Sequence, residues 1–324
     1  MSKVLEVKDL KVYFHTPSGP VKAVDGINFS LDPGERFGLV GESGSGKTTT
    51  ALALMRLIKK PGIIESGTIL VDKKDILSLN DAEMRETRFS EISMIPQGAM
   101  NSLNPVMKIG EQLKDTLKAH KKYSGNKTVS KKEYKTIISS LLFSVGLENK
   151  VSEMYPHELS GGMKQRVTIA MGISLGPKVV LADEPTSALD VVVQRQVMDT
   201  LQKAQEKIGA GLILVGHDMG LMAQFVHKIG VMYAGRLVET APVETIFDKP
   251  VHPYTKMLIK SLPKLDSHGK FFGIPGLPPP LLNLASGCTF CDRIHCGTKK
   301  TEKLVEWKTI SKNHEVLMCD GCEI

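Results

Sequence analysis

Two kinds of hydrophobic pattern follow one another along the chain. Near the N-terminus, apolar and polar residues alternate with the two-residue period of strands that bury one face, in three segments: Val4 to Val7, Lys11 to His15 and Ile27 to Leu31. Four later runs are apolar throughout, which is typical of parallel strands buried on both faces: Phe37 to Val40, Ile92 to Ile95, Val179 to Ala182 and Leu212 to Val215. Helical segments lie between the later runs. The pattern predicts an α/β fold in which an antiparallel β subdomain precedes a parallel core sheet.

A stretch without strand signals interrupts the parallel core. From about residue 98 to 172 the apolar residues recur with helical spacing, for example at Ile109, Leu113 and Leu117. This segment is predicted to be an inserted helical subdomain. After residue 250, proline and glycine become frequent and regular periods fade, which marks a domain boundary. The chain is therefore predicted to have a large domain over residues 1–250 and a small C-terminal module over residues 251–324.

Composition places the chain among ordinary globular proteins. Its 324 residues are 41% hydrophobic and 24% charged, which is enough apolar content for a buried core. No window approaches the roughly 18 apolar residues that span a bilayer. The N-terminal residues Met1 to Val4 lack the apolar stretch of a signal peptide. These features predict a cytoplasmic protein.

A net charge of +7 raises the question of nucleic acid or another anionic partner. Much of the excess lies in one polar segment with few aromatic residues between its lysines: Lys118, Lys121, Lys122, Lys127, Lys131, Lys132 and Lys135. A solvated helical face or loop explains such a segment better than a nucleic-acid surface does. We therefore expect no nucleic-acid partner.

Polar residues follow each of the four buried runs. Gly41 opens a glycine-rich segment, and Gln97, Asp183 with Glu184, and His217 lie at or just past the carboxyl ends of the other three runs. In open α/β sheets, ligands gather at that edge. The sequence therefore predicts a single ligand site served by all four segments.

The segment after the first run is Gly41-Glu42-Ser43-Gly44-Ser45-Gly46-Lys47-Thr48, which fits the P-loop pattern. It lies between a buried strand and a helical run from Thr49 to Ile58. The glycines let the backbone N–H groups face phosphates, Lys47 reaches the outer phosphates, and Thr48 offers a hydroxyl to Mg²⁺. The predicted phosphate-binding residues are Ser43, Gly44, Ser45, Gly46, Lys47, Thr48 and Thr49.

Two adjacent carboxylates end the run Val179 to Ala182. Asp183 is predicted to hold Mg²⁺, mostly through water, because that ion keeps much of its hydration shell. Glu184 is then available to polarise the water that attacks the γ-phosphate. His217 is predicted to contact the γ-phosphate, although a histidine at a strand end, taken alone, is more often structural.

A further glycine-rich helix start lies in the helical subdomain. In Leu159-Ser160-Gly161-Gly162-Met163-Lys164-Gln165-Arg166, the serine is a candidate N-cap for the apolar helix behind it. Such a helix start binds anions. Because it lies too far from the P-loop of its own chain in this arrangement, its expected ligand is a nucleotide held by a second copy.

This set of motifs resembles that of ABC transporter ATP-binding subunits over roughly residues 1–250. The matching motifs are a Walker A sequence at 41–48, a Q-loop at Gln97, an LSGG signature at 159–162, a Walker B sequence at 179–184, a D-loop from Ser187 to Asp190 and an H-loop at His217. The resemblance implies a P-loop NTPase core of the RecA type. It also implies that Gln97 contacts Mg²⁺ and takes part in catalysis, and that adenine stacks on Phe14 or its neighbour Tyr13.

The resemblance further implies a dimer that encloses nucleotide between two ATP-binding subunits. In such a dimer the signature of one subunit closes over ATP bound to the other, with candidate contacts from Ser160, Gly161, Gly162 and Gln165. Since Glu184 is present, the Walker site of this chain is expected to hydrolyse ATP.

Two more segments are similar to the dipeptide, oligopeptide and nickel importer subunits: Pro96 to Pro105, and His252-Pro253-Tyr254-Thr255. This resemblance implies an ATPase at the cytoplasmic face of the membrane that drives dipeptide or oligopeptide import. Nickel or another solute is the alternative cargo. The implied partners are two transmembrane permease subunits, an identical or related ATP-binding subunit and, indirectly, an extracellular substrate-binding protein.

Two other functional classes compete with transport. A soluble ABC ATPase that acts on nucleic acid or ribosomes generally fuses two ATP-binding domains or inserts a long coiled coil, whereas this chain has one P-loop. A structural metal-binding protein with a vestigial nucleotide fold is the second class. The intact Lys47, Asp183 and Glu184 argue against it.

All five cysteines follow residue 287: Cys288, Cys291, Cys296, Cys319 and Cys322. In a reducing cytoplasm they are better interpreted as metal ligands than as disulfides. All-thiolate ligation suits either a [4Fe–4S] cluster or Zn²⁺. The importer subunits carry a similar Gly-Cys-x-Phe-x-x-Arg-Cys pattern associated with a cluster, and this resemblance favours [4Fe–4S]. Here Ile294 stands where a cysteine follows the arginine, so Cys291 or Cys296 is expected to replace it and one thiol is spare.

Overall fold

The computed structural model describes residues 2–98, 102–120, 129–187, 189–262, 273–282, 284, 287–294 and 305–319. Its backbone contacts divide the chain into two compact units. The first unit comprises residues 1–5, 31–35 and 70–213, and the second comprises residues 6–30, 36–69 and 214–324. Within the described residues, no helix combines the length and the apolar character needed to cross a membrane.

Strands and helices alternate through both units. The strands are β1 Leu5–Thr16, β2 Gly19–Leu31, β3 Arg36–Val40, β4 Gly62–Val71, β5 Lys74–Asp75, β6 Ile92–Ile95, β7 Val179–Asp183, β8 Gly211–Gly216, β9 Lys228–Tyr233, β10 Arg236–Pro242, β11 Glu306–Ser311 and β12 His314–Met318. The α-helices are α1 Lys47–Leu54, α2 Asp81–Thr87, α3 Ile109–Lys118, α4 Lys131–Ser144, α5 Gly161–Ile173, α6 Val191–Ile208, α7 Met219–Phe225, α8 Val243–Asp248, α9 Pro253–Lys260 and α10 Cys291–Ile294. In the part of the chain that the structure describes, short 3₁₀ helices cover Asn149–Glu153 and Pro156–Glu158.

The first unit is built on a parallel strand pair. Strands β6 and β7 lie side by side in the register Ile92 opposite Val179 through Ile95 opposite Ala182. Every residue of β7 is buried, as its unbroken apolar run predicts. Helix α5 packs on β6 and on α6, while α3 and α4 pack on one another. The parallel pair brings the carboxyl ends of β6 and β7 to the same edge of the sheet.

The second unit combines a parallel pair with antiparallel strands. Its larger sheet has the order β11-β12-β10-β9-β3, in which β3 and β9 are parallel and the other neighbours are antiparallel. Strands β2, β1 and β4 are neighbours in a second sheet. The two strands from the C-terminal segment thus extend the sheet that carries β3, and β3 leads directly into the P-loop.

The sequence predicts the main strands correctly but misplaces several ends. All four wholly apolar runs are strands. The two strands predicted over Val4 to Val7 and Lys11 to His15 are wrong as separate elements, because the single strand β1 runs through both. Asp9 has a left-handed φ of 45° inside it, and this local irregularity breaks the alternating pattern without ending the strand.

Two further differences concern the P-loop helix and the C-terminal segment. Helix α1 covers Lys47–Leu54 and not the predicted Thr49 to Ile58, because the chain turns at Arg56 with a left-handed φ of 49°. Strands β11 and β12 were not predicted. Most residues of β11 are exposed, so no buried face imposes a hydrophobic period on it.

Candidate functional site

The P-loop, residues 41–48, connects β3 to α1 in the second unit. Its three glycines Gly41, Gly44 and Gly46 have φ values of 149°, 77° and 105°, which other residues rarely adopt. A Cβ atom on Gly41 would lie 2.2 Å from the carbonyl oxygen of Met232, and one on Gly46 would lie 2.2 Å from that of Ala23. Glycine is therefore required at both positions, because the loop runs directly against neighbouring backbone.

Lys47 is buried at the first position of α1. Its Nζ donates hydrogen bonds of 2.8 Å to the carbonyl oxygens of Gly41 and Glu42, and it lies 3.4 Å from Ser45 Oγ. Thr48 is exposed in the same helical turn. The ammonium group and the positive end of the helix dipole therefore act together at the loop, as an anion site requires.

The acidic residues lie in the first unit, at the carboxyl end of β7. Asp183 is the last residue of the strand and is buried. Glu184 follows with a left-handed φ of 44°, a conformation that costs a non-glycine residue about 1–3 kcal/mol and is typical of functional positions. Gln97, just past β6, donates from Nε2 to Glu184 Oε2 at 2.9 Å. The parallel pair β6 and β7 thus joins the predicted Gln97 to the predicted base.

The signature residues begin α5, also in the first unit. Ser160 is exposed and is the N-cap, and its Oγ accepts the Met163 N–H at 3.4 Å, as predicted. Gly161 and Gly162 form the first turn. A Cβ atom on Gly162 would lie 2.7 Å from the Val193 side chain, so α5 and α6 pack closely at this glycine. Gln165 is buried, and its Nε2 has no hydrogen-bond partner among the described residues.

The remaining predicted nucleotide contacts lie in the second unit. His217 is exposed immediately after β8. Tyr13 and Phe14 are consecutive in β1 and therefore point to opposite faces, so only one of them can stack on a given adenine. The Tyr13 hydroxyl donates to Asp25 Oδ1 at 2.6 Å, and burial raises the pKa of that phenol.

The Asp25 carboxylate also accepts from Arg236 at 2.8 Å. Burial raises the pKa of Asp25, but the hydrogen bonds from Tyr13 and Arg236 outweigh this effect and hold it below its usual range. Tyr13 is thus tied into a charged pair, whereas the Phe14 ring lies beside Gly62.

Three of the five cysteines come together in the second unit. The sulfur atoms of Cys288, Cys291 and Cys319, here called the thiol triad, all lie within 4.8 Å of one another. The Sγ atoms of Cys291 and Cys319 are 3.3 Å apart. The other two candidates, Cys296 and Cys322, lie outside the described residues. Three convergent thiols at this spacing, with two further cysteines nearby in sequence, fit a thiolate-ligated metal.

A contact between the C-terminal segment and the P-loop has no counterpart in the sequence pattern. Arg293 forms a bidentate ion pair with Glu42, in which Nη1 donates to Oε2 at 2.5 Å and Nη2 donates to Oε1 at 3.0 Å. The Glu42 N–H also donates to Tyr254 Oη at 3.0 Å. Arg293 and Tyr254 each belong to a segment that resembles the importer subunits. Because 251 residues separate Glu42 from Arg293, no local pattern could pair them.

Two family models match the sequence. The model described as "ABC transporter" matches residues 24–187. The model described as "Oligopeptide/dipeptide transporter, C-terminal region" matches residues 238–301. The second match contains Tyr254, Cys288, Cys291 and Arg293.

Curated relatives are similar over most of the chain. The oligopeptide transport ATP-binding protein OppD of Bacillus subtilis is 44% identical over 90% of this chain and 82% of its own length. OppD of Salmonella typhimurium is 45% identical over 90% of this chain and 85% of its own length. The dipeptide transport ATP-binding protein DppD of Lactococcus lactis is 43% identical over 90% of this chain and 83% of its own length.

Solved structures share the fold of the larger part. The ATP-binding cassette MJ0796, solved as a dimer in a post-hydrolysis state with ADP and phosphate, is 25% identical with a TM-score of 0.64, covering 74% of this chain and 98% of its own. The cbiO1 protein of Clostridium perfringens, part of an ABC transporter complex, is 26% identical with a TM-score of 0.63, covering 78% and 93%.

Proposed function

Because the chain belongs to the ABC transporter family, we propose that it is the ATP-hydrolysing subunit that energises an importer of dipeptides or oligopeptides. The observation that carries the choice of cargo is the match of residues 238–301 to the oligopeptide/dipeptide transporter C-terminal region. The curated relatives that cover 90% of the chain are named for the same cargo. Nickel or another solute is the alternative cargo.

Nucleotide binding is assigned to the P-loop. The N–H groups and side chains of this segment bind the phosphates, through Ser43, Gly44, Ser45, Gly46, Lys47, Thr48 and Thr49. The ammonium of Lys47 is already aligned by the loop carbonyls, which supports its role on the outer phosphates. Phe14 or Tyr13 stacks on the adenine.

Mg²⁺ and the attacking water are assigned to the other predicted residues. The hydroxyl of Thr48, the carboxylate of Asp183 and the amide oxygen of Gln97 are oxygen donors of the kind that Mg²⁺ prefers. Glu184 is the general base, and its hydrogen bond to Gln97 supports an oriented carboxylate. His217 contacts the γ-phosphate. Hydrolysis then depends mainly on positioning and on charge stabilisation.

A second ATP-binding subunit completes each site. The exposed N-cap Ser160 with Gly161 and Gly162 forms an anion-binding helix start, and it closes over ATP held by an identical or related partner, with Gln165 supporting it from within α5. The solved relative MJ0796 is described as dimeric, which supports this arrangement. The other partners are two permease subunits and, indirectly, an extracellular binding protein, with the chain at the cytoplasmic face of the membrane.

The thiol triad is assigned to a metal site. A [4Fe–4S] cluster is the proposed occupant and Zn²⁺ the alternative, with the fourth ligand from Cys296 or Cys322. Such a site holds chain segments together, since metal ligation contributes folding free energy directly. Its proposed role is structural or regulatory.

Peptide uptake tests the whole proposal. The native gene is replaced by Lys47→Ala in an amino-acid auxotroph, with Lys203→Ala as the matched control because Lys203 is an exposed lysine on α6. Loss of the hydrogen bonds to a charged group predicts at least about a tenfold loss of ATP affinity. We therefore expect growth on a peptide source of the amino acid to be much slower in Lys47→Ala than in the parental strain, and growth on the free amino acid to be unchanged.

Equal peptide uptake by Lys47→Ala and the parental strain would refute the proposal. Normal peptide uptake combined with lost nickel uptake would reassign the cargo to the metal. Parental peptide uptake in Lys203→Ala serves as the check that a lysine substitution alone does not disturb the protein.

A further inference from the structure

We propose that Arg293 is a positioning residue for ATP binding, which holds the P-loop through Glu42 and connects that loop to the thiol triad. The inference rests on the proposed binding of ATP at the P-loop. Its starting point is the ion pair between a residue of the C-terminal segment and the second residue of the P-loop.

The guanidinium group of Arg293 is bound both by the Glu42 carboxylate and by backbone carbonyl oxygens. Its side chain is only 3% exposed, against 28% for Glu42. Besides the two contacts with Glu42, Nε donates to Pro275 O at 2.7 Å and Nη2 donates to Gly276 O at 3.2 Å. An arginine guanidinium stays charged in proteins, so it neutralises the Glu42 carboxylate. Such a planar, bidentate pair fixes the position of the carboxylate as well as neutralising its charge.

The other partner, Glu42, is bound to the phosphate-binding lysine. The Glu42 carbonyl oxygen accepts from Lys47 Nζ at 2.8 Å, and the Glu42 N–H donates to Tyr254 Oη at 3.0 Å. Without Arg293, an unpaired carboxylate would lie in a loop that receives a polyanion. Like charges repel, and water screens this repulsion less in a partly buried site. Arg293 therefore favours ATP binding by neutralising Glu42 and by fixing the loop at this residue.

The same short segment carries the thiol triad. Arg293 is two residues past Cys291 in α10. Phe290, between Cys288 and Cys291, is fully buried, with ring centroids 5.2 Å from Tyr233 and 5.6 Å from Tyr254. Ligation of the thiols fixes both ends of this segment. The state of the thiol triad is thereby transmitted to Arg293.

Tyr254 is positioned by the start of α9. The Tyr254 N–H donates to Nδ1 of His252, which is the N-cap of that helix, at 3.1 Å. Burial lowers the pKa of His252 to about 3, with a smaller contribution from Lys256, so the ring remains neutral and able to accept. Glu42 is thus bound by one aromatic residue, Tyr254, and one cationic residue, Arg293. Both lie in the C-terminal segment.

The test is a double-mutant cycle on ATP affinity, measured with the full-length chain and a fluorescent ATP analogue. We expect Arg293→Gln to weaken binding by about tenfold, because it leaves a partly buried carboxylate unpaired. We expect the double variant Glu42→Gln/Arg293→Gln to bind more tightly than Arg293→Gln alone, because the repelling charge is gone. Arg85→Gln, at an exposed arginine of α2, is the matched control.

Rescue by the second substitution shows that Arg293 acts on ATP affinity through Glu42. The unfolding midpoint of each variant without ATP separates this effect from lost folding, because removing both partners of a buried pair also restores stability. Parental affinity in Arg293→Gln, or purely additive effects in the cycle, would overturn the inference. Lys47→Ala in the same assay keeps the two proposals distinct. A parental chain that binds no better than Lys47→Ala overturns ATP binding itself and this inference with it, whereas a clear Lys47 effect with no Arg293 effect overturns only the latter.

Discussion

The P-loop and the thiol triad, both in the second unit, differ in how their residues are brought together. The P-loop is eight consecutive residues whose shape follows from left-handed glycines and from close backbone neighbours. The thiol triad instead joins Cys291 to Cys319, which lie 28 residues apart in sequence, on a segment paired to the sheet through β12. Local steric rules determine the first region, while tertiary contacts determine the second.

The contact between Arg293 and Glu42 connects these two regions. A change in the P-loop is expected to leave the thiol triad intact, because the loop does not hold the cysteines. A change in the thiol triad is expected to reach the P-loop, because Arg293 lies in the same short helix as Cys291. The two regions are therefore expected to differ in how strongly a substitution in one affects the other, which is open to test.

The largest expected effect comes from Gly46→Ala. The new Cβ atom would lie 2.2 Å from the Ala23 carbonyl oxygen at a φ of 105°, so the loop must move. Loop N–H groups that no longer face the phosphates lose hydrogen bonds worth about 1.5–3 kcal/mol each, so two lost contacts cost about a hundredfold in affinity. We expect ATP affinity, measured with a fluorescent analogue, to fall by that order while the bound metal content stays parental.

Gly209→Ala is the matched control for this variant. Gly209 also has a left-handed φ, of 68°, but no atom lies within 4 Å of an added Cβ among the described residues. The substitution is expected to cost about 1 kcal/mol of stability and to leave ATP affinity unchanged. If both alanine variants bound ATP equally well, the close approach to Ala23 would have no role in the loop.

A smaller effect on nucleotide is expected from Cys288→Ser. The variant removes one sulfur of the thiol triad, so it should lose most of its metal, measured as iron, sulfide and zinc after anaerobic purification. ATP affinity should fall less than in Arg293→Gln, because the ion pair with Glu42 is retained. In an Arg293→Gln background the same substitution should have no further effect on ATP affinity.

Thr289→Ser, one residue away, controls for disturbance of the segment. Parental metal content in Cys288→Ser would show that Cys288 is not a ligand. If the purified protein were colourless and contained zinc but no iron, the site would be assigned to Zn²⁺ and not to a cluster. An added loss of ATP affinity in the Arg293→Gln background would show that the thiol triad reaches the P-loop by another route.

Residues close together in sequence were the predictable part. The P-loop, the N-cap Ser160 and the buried run that ends at Asp183 each follow from a local pattern, and each lies on the expected element. The division of β1 was mispredicted because Asp9 interrupts the alternation inside a continuous strand. Strand β11 left no hydrophobic pattern to detect, since most of its residues are exposed.

Contacts over long sequence distances were the unpredictable part. Sequence chemistry indicated that cysteines ligate a metal, but not that Cys288, Cys291 and Cys319 are the three that converge. The pairing of Arg293 with Glu42 and the hydrogen bond from Glu42 to Tyr254 exist only after the chain folds. The backbone strain at Glu184, with its left-handed φ, likewise follows from the end of a buried strand and not from the residue type.

The central claim is that the chain hydrolyses ATP with Glu184 as the general base, and its most direct test is Glu184→Gln. The measurement is the steady-state MgATP hydrolysis rate of the chain assembled with its permease subunits, together with ATP affinity. Glu148→Gln is the control, because Glu148 is an exposed glutamate of the same unit. We expect a rate lower by at least about a hundredfold for Glu184→Gln, with ATP affinity retained. Hydrolysis by Glu184→Gln at the parental rate would contradict the central claim.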